Sequence, residues 1–201
     1  DPERTPGGSS GGEAAAIASF CSPGGLGSDG GGSIRLPAHF CGIAGLKPTP
    51  GRVSAAGHFP LINQPGGLLG VAGPMARTAK DVRLLFEATA GYDIDDPFSV
   101  PAPLRKPNLD RVLVGLLEQW QDVPVQPPIR KAVTRAASAL ESLGYPVEPF
   151  HPHGLERAPQ LWWFFFTELN APLIRRLIAG REQDAHWTGT EFFSQVWDKP
   201  E

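Results

Sequence analysis

Cysteine is scarce in this chain. The only two, Cys21 and Cys41, lie among small residues, which excludes a disulfide framework and a thiolate zinc site and predicts reduced, partly buried thiols in a cytosolic protein. Long apolar runs are also missing. The longest aromatic stretch, LWWFFF (161–166), falls far short of the roughly 20 residues that cross a bilayer, and Glu168 follows it closely. Charge of one sign is missing too: 18 Lys and Arg stand against 21 Asp and Glu, a net charge of −3, so the chain carries no electrostatic footprint for nucleic acid. The sole methionine is Met75, and the chain opens on DPERTPGGSS, inside a motif; this predicts a piece of a longer polypeptide.

Glycine is abundant and unevenly placed. Eighteen of the 24 glycines fall within residues 1–75, which is the pattern of a site built from backbone. The densest cluster, GSDGGGSIRLP (27–37), sets three consecutive glycines before Ser33. Glycine is entropically expensive and packs no side chain, so bare backbone must be required there.

The periodicity predicts an α/β layered fold. Residues 13–20 (EAAAIASF) read as a helix, with Ser9 or Ser10 as its cap. GGLGSD (24–29) reads as a short strand or turn, and residues 33–40 as a weaker helix with Pro37 in its first turn. LLGVAGPM (68–75) suits a buried strand. Thr78 caps a helix that stops at Gly91, and residues 93–108 read as an exposed, proline-rich connection. Beyond it, RVLVGLL (111–117), a helix over 128–143 and YPVEPF (145–150) have strand–helix–strand spacing, which argues for some parallel pairing. The tail from 155 reads as helical, broken near Gly180 and Gly189.

Two generic motifs match and fail. GLGSDG (25–30) fits a dinucleotide fingerprint, but Pro37 interrupts the helix that should follow, and KPTPGR stands where an acidic residue is needed. GGSSG (7–11) fits a nucleophile elbow, but DPERTP replaces the apolar strand that should precede it. The five histidines have no acidic partner or metal-ligand spacing in the sequence, and read as structural or solvated.

Both serine clusters together, GGSSGGEAAA and GLGSDGGGSIRLPAHFCGIAGLKPTPGRVS, resemble the amidase signature family of hydrolases. The match runs without a visible gap from residue 6 to about residue 54, with a weaker echo in GPMARTAKDVRLLFEATAGYD (73–93). The resemblance implies a mixed sheet core surrounded by helices, present in part. It places residues 1–201 within a single domain, with 1–93 as signature core and 94–201 as a downstream α/β and helical part. It implies a Ser–Ser–Lys triad with Ser33 as nucleophile and Ser9 as the bridging serine, held by a cis peptide bond. The oxyanion hole maps to the backbone of Gly30, Gly31, Gly32 and Ser33. An attacked carbonyl needs two or more N–H donors already aimed at its oxygen, and consecutive glycines supply such a nest. Asp29 and Arg35 are expected to brace this loop, and Ser10 to support it or cap the helix.

Two departures from the family stand out. Its catalytic lysine lies well upstream of the first serine cluster, and none of the lysines here (47, 80, 106, 131 and 199) matches that position. Lys47 in GLKPT reads as structural. Gly30 replaces a more usual Thr or Ile, loosening the loop while keeping its donors.

The expected function is carboxamide hydrolysis through a Ser33 acyl-enzyme, with the lysine supplied from upstream. The alternative within the family is the A subunit of the aminoacyl-tRNA amidotransferase, which frees ammonia from glutamine. Glu13, where that protein more often has a small residue, weighs against it. A third reading, from a different class, is a folded but non-catalytic fragment. The expected setting is cytoplasmic and the expected partner a small-molecule amide, with no nucleic acid, membrane, metal or cofactor; a homo-oligomeric assembly is left open. GHFPLINQPGG (57–67) is the candidate substrate loop.

Overall fold

The computed structural model describes residues 3–59, 62, 69–105, 108, 112–120, 123–185, 191 and 194. It has two compact units, one formed by Asp1–Leu104 with Trp162–Glu201 and the other by Arg105–Leu161.

The first unit is built on a three-stranded antiparallel sheet. Strands β1 (Gly24–Asp29) and β2 (Ala44–Gly45) flank β3 (Val71–Ala76), with Gly24 opposite Ala76 and Asp29 opposite Val71. Helices α1 (Gly11–Ala18) and α2 (Arg35–Cys41) pack on the sheet through Ala14, Ile17, Ile34, Ala38 and Met75, all buried. Glycine in β1 makes this close approach possible. A Cβ on Gly27 would lie 2.6 Å from the Ser10 hydroxyl and 3.0 Å from the Met75 sulfur. Gly24, on the other pleat, faces Leu85 of α3 (Ala79–Thr89) instead, so the two faces of β1 serve different helices.

Thr78 caps α3 as expected, its hydroxyl accepting from the Asp81 N–H. Pro37 is the third residue of α2, where it costs no helix hydrogen bond. Ser10 corrects the cap expectation. It precedes α1 but makes no side-chain cap bond; its hydroxyl bonds instead to Ser28 in β1. The 93–108 stretch is likewise not all exposed. Asp96 is 2% exposed and accepts from the Ala55 and Phe98 N–H groups. Ser99 is also buried, bonded to Asp93 and Asp96. A carboxylate in a proline-rich stretch reads as solvated by composition, whereas here it is the acceptor that ties two loops together. Of the two thiols, Cys21 is exposed and only Cys41 is half-buried.

In the second unit β4 (Val114–Leu116) and β5 (Val147–Pro149) pair in parallel, with α4 (Pro127–Ser142) between them in sequence. The expected parallel pairing is present here, while the sheet beneath the serine clusters is antiparallel. Helix α5 (Ala158–Trp163) ends the second unit's stretch of chain, and the π-helical turn (Phe164–Glu168) and α6 (Ala171–Ile178) that follow belong to the first unit. The Gly189 break and most of 57–67 lie outside the described residues. Among the described residues no helix is long and apolar enough to cross a membrane.

Helix α1 ends in an unusual way. The N–H groups of Phe20 and Cys21 bond back to the Ile17 and Ala16 carbonyls, the double closure that normally uses glycine at the left-handed position. Phe20 occupies that position at φ 64°, is 78% exposed, and lies 4.8 Å from the Arg77 guanidinium. A non-glycine residue there costs roughly 1–2 kcal/mol, and an exposed cation–π contact returns about 0.5–1. Phe20→Gly is therefore expected to raise stability by about 0.5 kcal/mol, read as a higher denaturant midpoint. Phe20→Val is expected to lower it, because a β-branched side chain fits this conformation worst.

Candidate active site

The two serine clusters meet at the end of β1. The peptide bond between Gly8 and Ser9 is cis. Immediately after it, the Ser10 N–H donates to the Ser33 carbonyl at 3.1 Å, joining one cluster to the other through backbone. The Ser10 hydroxyl donates to the Ser28 carbonyl at 3.3 Å and accepts from the Ser28 N–H at 3.2 Å. Ser10 thus ties the Ser9 segment to the loop that carries Ser33. Ser9 is exposed, and Ser33 is half-buried in the turn leading to α2. A cavity of about 450 Å³ opens beside Ser9 and Ser10, bounded also by Glu13, Leu26, Ser28 and His58.

Asp29 is the centre of the loop. Its side chain has no solvent exposure and accepts from the N–H groups of Gly32 (2.8 Å), Ile34 (3.1 Å) and Arg35 (3.2 Å). The Arg35 guanidinium adds two bonds, Nε to Oδ2 and Nη2 to Oδ1, both 3.0 Å. Burial alone would push this carboxyl up. The Arg35 side chain and the three backbone donors outweigh that and hold it at about 2. The same pairing raises Arg35. Lys47 is half-buried; burial lowers its ammonium, Asp29 pulls the other way and Arg35 pushes it further down.

This arrangement divides the glycines. Gly32, at φ 124°, aims its N–H inward at Asp29, so it anchors the loop. Of the four N–H groups expected as donors from Gly30 to Ser33, that of Gly32 is taken by Asp29.

Sequence reasoning misses the residues that lie over the loop. A Cβ on Gly31 would lie 2.9 Å from Cε2 of Phe166 and 3.1 Å from Nε1 of Trp162. These rings stack at 4.7 Å between centroids. Leu36 stands similarly against Gly32, and Phe40 against Gly7. The signal in LWWFFF is its aromatic density, but nothing local in sequence joins residue 166 to residue 31.

A family model described as Amidase matches residues 1–193. The A chain of glutamyl-tRNA(Gln) amidotransferase from Chromohalobacter salexigens is 46% identical over 182 residues, 87% of this chain and 37% of that protein. Among solved structures, fatty acid amide hydrolase matches with a TM-score of 0.75 at 33% identity, over 88% of this chain and 32% of its own. A structure of 6-aminohexanoate cyclic dimer hydrolase matches with a TM-score of 0.79 at 31% identity, over 98% of this chain and 44% of its own. The chain belongs to the amidase signature family of hydrolases, whose mixed α/β fold it shares over part of its relatives' length. It spans about a third of the first curated relative it matches.

Proposed function

We propose that this chain carries the nucleophile half of a carboxamide-hydrolysing site, within one domain completed by further chain. The Ser33 hydroxyl attacks the amide carbonyl, forming the Oγ–C bond, while its proton passes to Ser9 and on to the leaving nitrogen. The C–N bond then breaks, the amine departs, and water hydrolyses the Ser33 ester. The N–H groups of Gly30, Gly31 and Ser33 receive the oxyanion. The observation that carries this reading is the Asp29 hub, which fixes Gly32, Ile34 and Arg35 and so holds the Ser33 turn in one shape. The family's triad needs a lysine upstream, and the cavity beside Ser9 leaves room for such a side chain. The isolated 201-residue chain is accordingly expected to be inactive. The two separate thiols fit a reducing, cytosolic setting.

The curated relatives support glutamine as the amide, because those at 40–48% identity are A subunits of glutamyl-tRNA(Gln) amidotransferase. They outweigh the single Glu13 difference that weighs the other way in the sequence. The second reading, a free-standing amidase, is favoured by one structural observation, the apolar rings seated on Gly31. Ammonia release from glutamine and from simple amides, measured on the complete protein with and without amidotransferase partner proteins, separates the two. Glutamine turnover that rises with the partners supports the amidotransferase reading; partner-independent turnover of simple amides supports the free amidase. No ammonia from any amide under either condition would refute the proposal.

A further inference from the structure

We infer that Asp96 is a positioning residue for the catalytic cavity: through the backbone of Ala55 it fixes the segment 54–58, which shares that cavity with Ser9. This rests on the reading of Ser9 and Ser33 as the reacting pair. Ser54, Ala56, Gly57 and His58 line the cavity of about 450 Å³ beside Ser9 and Ser10. The segment is neither helix nor strand, so it must be held from outside. Its turn is closed by the His58 N–H on the Ala55 carbonyl at 3.1 Å. Ala55, at the base of that turn, is buried, and its own N–H donates to Asp96 Oδ2 at 2.9 Å. This side of the cavity therefore hangs on the residue that Asp96 grips. Asp96 itself does not line the cavity, so its effect there passes through Ala55.

Asp96 is built as a fixed point. It is buried, and its other oxygen, Oδ1, accepts from the Phe98 N–H at 3.0 Å in an Asx turn. The buried Ser99 hydroxyl lies 2.7 Å from the Asp96 carbonyl and accepts from the Asp93 N–H at 2.8 Å. Backbone bonds on both sides of this turn lace it to the chain ahead of the cavity. The Gly91 N–H donates to the Arg52 carbonyl at 3.0 Å, and the Val100 N–H to the Gly51 carbonyl at 2.9 Å. Gly51, at φ 80°, permits the approach, since a Cβ there would lie 2.5 Å from the Phe98 carbonyl oxygen. Ser54 adds a tie from the cavity side. Its hydroxyl bonds to the Asp93 carboxylate and holds that carboxyl below its ordinary range.

The reach of Asp96 separates positioning from mere loop closure. Among the described residues, backbone pairing between the two stretches goes no further than the Val53–Ala90 bridge. The Asp96 carboxylate takes over at Ala55, where the chain reaches the cavity. Burying a carboxylate is costly unless fixed donors meet its oxygens, and here one donor lies forty-one positions away. A shift of about 1 Å in how a substrate is seated costs on the order of 10²-fold in rate. Releasing this segment thus slows the chemistry without removing a reacting group.

The test uses the complete protein and counts working sites first. p-Nitrophenyl acetate acetylates Ser33, and mass spectrometry gives the fraction of chains labelled. The kcat for ammonia release from the faster of glutamine and acetamide is then expressed per labelled chain, so that loss of folded protein does not enter. On that scale Asp96→Ala is expected to lower kcat about 30-fold, and Asp96→Asn, which keeps one of the two acceptor oxygens, about 10-fold. Where Asp96→Ala leaves no labelled chain, Asp96→Asn carries the comparison. Ser99→Ala loosens the same turn without touching the Ala55 bond. It is expected to lower the denaturation midpoint while leaving kcat per labelled chain within about 2-fold. A wild-type kcat per labelled chain in Asp96→Asn, or an equal loss in Ser99→Ala, overturns the positioning role and leaves the Ser33 assignment standing. Wild-type protein that releases ammonia but takes no label on Ser33 overturns the nucleophile reading and the positioning role with it.

Discussion

Ser33→Ala in the complete protein is expected to lower kcat for amide hydrolysis about 10⁴-fold or more. The binding surface and the loop's N–H donors would remain, so KM should change little. In the proposed mechanism alanine removes the attacking oxygen, while the fold loses only one half-buried hydroxyl. The loop itself is held by Asp29 and by the Ser10 N–H on the Ser33 carbonyl, neither of which uses the Ser33 side chain. Measured by ammonia release, with an unchanged denaturation midpoint as control, the substitution separates chemistry from folding. Mass spectrometry supplies the second readout: wild-type protein mixed with an activated ester should gain one acyl group, and the variant none. Near-wild-type rates in the variant would rule out Ser33 as the nucleophile.

Asp29→Ala is expected to cost about 3–5 kcal/mol of stability and at least about 10²-fold in kcat. Three backbone N–H groups and one guanidinium lose their acceptor at once, and the N–H groups of Gly32 and Ile34 belong to buried residues. Arg35 itself is 56% exposed and can be rehydrated, so most of the loss comes from the backbone donors. The same carboxylate sets a pH dependence. Its folded value of about 2 lies below the ordinary aspartate value near 3.9, so folding favours the charged form. The stabilisation, about 2–3 kcal/mol, is fully present above the unfolded value and is lost as pH falls from about 4 toward 2. Asp29→Asn should flatten that part of the acid-denaturation curve. A variant that unfolds with the wild-type acid profile would show that the hub does not carry this energy.

Much of this region is legible in the sequence, and for identifiable reasons. The α1 stretch is rich in alanine, Thr78 stands three residues before the Asp81 N–H it caps, and GGLGSD ends on the acidic residue that closes a turn. Such features are local, within a few positions of one another. The Asp29–Arg35 pair is legible too, six residues apart across the glycines. Ser10 is legible as important but not in its role, because its partner Ser28 is eighteen positions away and is reached only when β1 folds against α1. Asp96 escapes a local reading for the same reason, its partner Ala55 being forty-one positions distant. The inward turn of the Gly32 N–H depends on a φ of 124°, which glycine permits and does not announce. The rings over Gly31 lie farthest away in sequence and are invisible to any local pattern.

Strand β1 flanks its sheet, paired to β3 on one side only among the described residues. A row of glycines and a serine at such a border would let another polypeptide lie down beside it, since unpaired N–H and C=O groups invite strand addition between molecules. At Ser28 both of those groups are already taken by the Ser10 hydroxyl, which donates to one and accepts from the other. That single oxygen supplies what a neighbouring strand would supply at this register. The side chain that joins the two serine clusters therefore also closes the free backbone of β1 at this one position.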